Sequence, residues 1–117
     1  MKPDDKAKRL RIYISSTDKY EHTPLYEVIV YAAKKSGISG ATVLKGIMGY
    51  GSSSEVYTSK LWEISEKIPL VVEIIDESHK IDIFLKNNKI LFESIGKGHV
   101  ITMDDTTIIM HKAGKKK

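Results

Sequence analysis

Ile68-Pro69-Leu70-Val71-Val72-Glu73-Ile74-Ile75 is the stretch that decides the fold. It reads as a strand, with Pro69 tolerable only near its start or at a sheet edge. Leu70, Val72 and Ile74 alternate onto one face, but Val71 and Ile75 are apolar on the other. Such a strand has apolar partners expected on both sides. Working downstream, Ser78 is placed to cap a helix in which Ile81, Phe84, Leu85 and Leu91 share a face. The glycine loop Ile95-Gly96-Lys97-Gly98 follows. Val100 to Met103 and Thr107 to Met110 then predict a hairpin across Asp104-Asp105.

Upstream, Arg9-Leu10-Arg11-Ile12-Tyr13-Ile14 alternates strictly and predicts a first strand with Leu10, Ile12 and Ile14 on one face. A polar loop runs from Ser15 to His22. Thr23 reads as a helix N-cap followed by Pro24. Leu25, Val28, Ile29, Ala32 and Ala33 then form one apolar stripe, and Ser36-Gly37 stops the helix. Ala41 to Met48 is β-rich, Gly49 to Ser54 suits no regular element, and strand character returns between Val56 and Ile64.

The order is β-α-β-loop-β-α-β with a short extra strand. That is an α+β chain, a ferredoxin-like split βαβ sandwich with both helices on one face of an antiparallel sheet. Residues 1–8 read as a disordered leader, 9–111 as the domain and 112–117 as a basic disordered tail. The bare sheet face carries apolar residues around Val71, Ile75 and Val43, which predicts a cover. A symmetric homo-oligomer supplies one, a trimer being favoured.

Composition excludes several classes. The 117 residues contain no cysteine, so disulfides and thiolate metal sites are ruled out. No run reaches the roughly 18–20 apolar residues of a membrane span. The opening Met1-Lys2-Pro3-Asp4-Asp5-Lys6 has no signal-peptide core, and a cytoplasmic address is expected. The formal charge of +4 equals the contribution of Lys112, Lys115, Lys116 and Lys117, so the body is near neutral and nucleic acid is not the expected partner. An RNA-binding sheet of the RRM kind needs paired aromatics, whereas the central strands offer Tyr13 alone. His22, His79, His99 and His111 lack metal-binding spacing, and no acid, base and oxyanion hole assemble, so neither a metal site nor an enzyme is expected.

Two glycine loops remain, Gly46 to Ser53 and Gly96-Lys97-Gly98-His99. Glycines let backbone N–H groups approach an anion closely, and a lysine adds charge. Neither loop is a P-loop, since GxxxxGK[ST] is missing.

Pro24-Leu25-Tyr26-Glu27, Gly40-Ala41-Thr42-Val43, Gly46-Ile47-Met48-Gly49-Tyr50-Gly51 and Ile68-Pro69-Leu70-Val71-Val72 together resemble an uncharacterised bacterial and archaeal family of PII-like proteins over residues 8–111. That group is related to the PII nitrogen-regulatory proteins, trimers of ferredoxin-like subunits that bind adenine nucleotides in clefts between subunits. The resemblance implies a regulatory protein holding ATP or ADP with Gly49, Tyr50, Gly51, Ser52, Gly96, Lys97, Gly98 and His99. Residues 50–60 would be a shortened switch loop able to meet a protein target. The chain departs from the PII pattern at Ser52-Ser53, where Arg-Gln stands in PII. It departs again at His111 and Lys112, which stand near the place of two phosphate-clamping arginines. Alternatives on the same sandwich are a CutA-like metal-related trimer or a purely structural PII-like interaction module. An acylphosphatase is a further one, but it needs an arginine that Ser15-Ser16-Thr17-Asp18 does not offer.

Overall fold

The structure is a computed structural model that describes residues 1–51, 57–58, 67–96 and 98–114. Its strands are β1 (Lys6–Ser15), β2 (Lys19–Tyr20), β3 (Thr23–Pro24), β4 (Ala41–Lys45), β5 (Met48–Gly49), β6 (Tyr57–Thr58), β7 (Pro69–Glu77) and β8 (Val100–Thr107). The helices are α1 (Leu25–Lys35), α2 (Ser78–Asn87) and α3 (Lys89–Glu93). The main sheet runs β4-β7-β1-β8 with every neighbouring pair antiparallel. This is the ferredoxin-like order expected from the sequence.

Period-two alternation puts Leu10, Ile12 and Ile14 of β1 beside Leu70, Val72 and Ile74 of β7 on the covered face. Leu25, Ile29 and Ala33 of α1 and Ile81 and Phe84 of α2 complete one core with them. Phe92 of α3 meets Phe84 edge-to-face at a centroid distance of 6.0 Å. α1 ends as its sequence predicts. Gly37 takes φ +79°, the Ile38 N–H donates to the Ala33 carbonyl at 3.1 Å, and the Ile38 side chain returns to the core.

Several expectations are corrected. The first strand starts at Lys6, inside the expected leader, because Ala7 is buried and pairs with Glu77 and Thr106. The expected hairpin at Asp104-Asp105 is instead one continuous strand, β8. Asp104 sits opposite Arg9 and forms an ion pair at 2.6 Å, so its charge is satisfied across strands and not in a turn. Thr23 makes no cap. It pairs with Tyr20 in a tight hairpin whose turn residues Glu21 and His22 take φ 48° and 74°, and the Leu25 N–H donates to the Asp18 carbonyl at 2.7 Å. Ser78 likewise makes no side-chain cap. The second helix breaks at Asn88, whose side-chain amide donates to the Phe84 carbonyl at 2.9 Å. Met48–Gly49 belongs to a short ladder with Tyr57–Thr58, while the rest of the expected 56–64 strand lies outside the described residues, as do Lys115 to Lys117.

The uncovered face is graded. One row across the sheet is apolar: Val100, Tyr13, Val71 and Leu44. The next, Thr102, Arg11, Glu73 and Thr42, is polar and holds an Arg11–Glu73 ion pair at 2.9 Å. The third carries the Arg9–Asp104 pair beside Ile75. Val43, expected on this face, lies opposite Val72 and packs against the core; its neighbour Leu44 faces out. Among the described residues no helix is long and apolar enough to cross a membrane.

Candidate functional site

The apolar end of the open face borders a cavity of about 820 Å³. Two elements far apart in sequence reach it. Gly49, Tyr50 and Gly51 arrive at the end of the β5 arm, and Gly98 and His99 lead into β8. Five of the eight residues singled out from the sequence thus line one space. Gly96 does not line it, and Ser52 and Lys97 lie outside the described residues.

The glycine at position 46 has a reason of its own. Its N–H donates to the Pro69 carbonyl at 2.7 Å, and a Cβ there would sit 2.8 Å from Pro69 Cγ. Close backbone approach to β7 requires glycine, and that approach sets where the following loop leaves the sheet. Gly51 is exposed, and among the described residues a Cβ there would meet nothing within 4 Å.

The sequence reading misses the remainder of the wall. Tyr13, Val71 and Val100 of the apolar row form part of it, and Lys67 adds a cation at the entry to β7. Ser15, Thr17 and Asp18 close another side. This Ser-Ser-Thr-Asp turn is tied down twice to the start of β7. The Ser16 N–H donates to the Ile68 carbonyl at 2.8 Å, and the Ile68 N–H donates to Ser16 Oγ at 2.9 Å. Within the turn, the Ser15 N–H donates to Asp18 Oδ2 at 2.9 Å, and the Ser15 and Thr17 hydroxyls lie 3.1 Å apart. A signal is present in the sequence: Ser-x-x-Asp is the spacing at which an acidic side chain reaches back to the N–H three residues earlier.

The walls are chemically unequal. Glycine backbone and Lys67 offer donors, the hydroxyls and Asp18 offer acceptors, and Tyr13, Val71 and Val100 offer an apolar surface between. Such a space suits an organic ligand with a flat apolar part and polar ends. Among the described residues no three histidine or carboxylate side chains gather as a metal site.

The fold is the one that PII-like proteins have. CPII, a nitrogen regulatory PII-like protein from Thiomonas intermedia K12 bound to ADP, AMP and bicarbonate, superposes with a TM-score of 0.64 at 17% identity over 90% of each chain. A PII-like signaling protein from Thermus thermophilus matches with a TM-score of 0.64 at 14% identity, covering 93% of this chain and 94% of its own. Residues 7–108 match the family described as DUF190, Uncharacterized ACR, and the chain belongs to that family. A UPF0166 protein of Aquifex aeolicus (strain VF5) is 40% identical over 105 residues, 89% of this chain and 94% of the relative. A UPF0166 protein of Methanocaldococcus jannaschii is 37% identical over 100 residues, 86% of this chain and 89% of the relative.

Proposed function

We propose that this protein is a cytoplasmic PII-like regulator, not an enzyme, that binds an adenine nucleotide, ATP or ADP, in the cavity between its two glycine loops. The observation that carries the reading is the convergence of Gly49-Tyr50-Gly51 with Gly98-His99 on one cavity of about 820 Å³. That volume falls within the ~300–1,000 Å³ typical of small-molecule sites. The ligands of CPII, a structural neighbour, make adenine nucleotides the first to try. Ser52 and Lys97 adjoin lining residues in sequence and complete the proposed set, with Lys97 meeting phosphate. Gly96 acts at one remove, as part of the same loop.

The protein works as a homo-oligomer, with a trimer favoured. The row Val100, Tyr13, Val71 and Leu44 is an apolar strip beside the cavity, and a second copy laid over it would place the ligand between subunits. Residues 50–60 then form the segment that a protein target would read. Isothermal titration with ATP, ADP, AMP and a cyclic nucleotide tests the ligand. Saturable binding of at least one at micromolar to millimolar concentration is expected. Silence from all four at millimolar concentration would leave a PII-like module with no nucleotide. Light scattering tests the assembly against the 13.2 kDa monomer mass.

A further inference from the structure

The turn after β1 holds a carboxylate whose position calls for a ligand. Asp18 is only 5% exposed, yet it lines the cavity. Its Oδ2 accepts the Ser15 N–H at 2.9 Å, and that bond leaves Oδ1 available. Among the described residues no fully buried side-chain oxygen lacks a partner, so Oδ1 keeps part of the small exposure of Asp18, a residue of the cavity wall. The turn that carries Asp18 is itself held rigid by the reciprocal Ser16–Ile68 hydrogen bonds. Oδ1 is therefore an acceptor in a fixed place. A ligand that fills the cavity strips water from it, and the loss is costly unless the ligand returns a hydrogen bond. A phosphate cannot return one, since it brings only acceptors and negative charge at neutral pH. Whatever occupies this side of the cavity must present O–H or N–H groups, with its anionic part directed to the glycine loops and Lys67.

We infer that Asp18 reads the ribose hydroxyls of the nucleotide, making the site selective for ribonucleotides over deoxyribonucleotides. This inference rests on the nucleotide reading above. Ser15 and Thr17 of the same turn also line the cavity, with their hydroxyls bonded to one another at 3.1 Å and the Thr17 N–H donating to Ser15 Oγ at 3.3 Å. A sugar hydroxyl bonded to a carboxylate also explains why an acidic group belongs in an otherwise anion-seeking cavity. The hydrogen bond it gains is charge-assisted and short, and it is available to no competitor lacking the hydroxyl.

The test uses unmodified protein first, so that folding cannot confuse it. ADP is titrated against 2′-deoxy-ADP, 3′-deoxy-ADP and inosine diphosphate. Loss of one hydroxyl is expected to weaken binding by roughly tenfold or more, the usual effect of removing a charge-assisted hydrogen bond. Asp18→Asn keeps an acceptor for the Ser15 N–H and should bind ADP and 2′-deoxy-ADP with nearly equal affinity, its folding checked by thermal melting. Equal binding of ADP and both deoxy analogues to the unmodified protein overturns the inference. A large loss with inosine diphosphate, with none for the deoxy analogues, also overturns it and moves Asp18 to the adenine amino group. If ADP does not bind at all, the nucleotide reading fails before Asp18 is tested, and the two failures are thereby distinct.

Discussion

The two faces of the central sheet are made by the same strands and obey different rules. On the covered face Leu10, Ile12, Ile14, Leu70, Val72 and Ile74 form an unbroken apolar layer beneath α1 and α2. On the other, an apolar row gives way along β1, from Tyr13 to Arg9, to two rows that each hold an ion pair. The covered face serves the fold: each side chain has packed neighbours, and any loss is felt as a cavity. The open face borders the candidate site. Its apolar row borders the cavity, and its charged rows satisfy themselves in pairs. Adjacent residues of β7 can thus differ entirely in what they do.

Val72 and Val71 put that contrast to its hardest test. Val72→Glu places a charge in the core with no partner, at a cost of several kcal/mol, and should leave the protein unfolded by circular dichroism. Val71→Glu, one residue away on the half-buried open face, should keep the native spectrum. Its effect should emerge instead as a smaller particle in light scattering and as weakened ligand binding. If both variants unfold, the open face is as much core as the covered one. Within the covered face, Phe84→Ala should cost about 3–5 kcal/mol in denaturant melts, since it empties the volume between α2 and Phe92.

How much of this is legible from the chain alone follows from which contacts are local. β1, α1 and α2 carry clean periodicities and β7 a strongly apolar strand run, and in their order along the chain these point to the sandwich. β8 misreads because Asp104-Asp105 has turn chemistry, while the partner that makes Asp104 a strand residue is Arg9, 95 positions away. The same limit divides the site. Glycine loops are visible in any sequence, so Gly49 to Gly51 and Gly98 stand out. Ser15, Thr17 and Asp18 look like an ordinary polar turn until folding sets them beside the glycines. Val43 reads onto the wrong face because two adjacent apolar residues, Val43 and Leu44, do not state which of them faces the core.

Two aspartates carry the comparison to finer energies. Asp76 ends the covered face at 1% exposure, accepting the Ser39 N–H at 2.9 Å and the Glu77 N–H at 2.7 Å. It ties the α1–β4 connection to β7. Asp76→Ala removes both acceptors from a buried place, and a loss of about 1–3 kcal/mol is expected in chemical denaturation. A neutral result would mean that water reaches these amides and that the covered face ends before Asp76.

Asp104 is the counterpart on the open face, and its effect should be the smallest. The hydrogen bond from Arg9 holds its carboxyl below the ordinary value of 3.8. A carboxylate depressed in the folded state contributes stability that is fully present above its unfolded value and is lost as pH falls through the folded one. Between pH 5 and pH 8, therefore, the pair gives no pH dependence. Below about pH 4 its contribution should fade, and Asp104→Asn should remove that acid limb from a plot of melting temperature against pH. At neutral pH the variant should melt close to the parent, because an exposed ion pair is worth little and salt screens it further. A destabilisation as large as that of Asp76→Ala, persisting in high salt, would be the informative exception. Such a loss requires the Arg9–Asp104 pair to be desolvated in the assembled protein. The second copy would then reach beyond the apolar row and cover the charged rows as well.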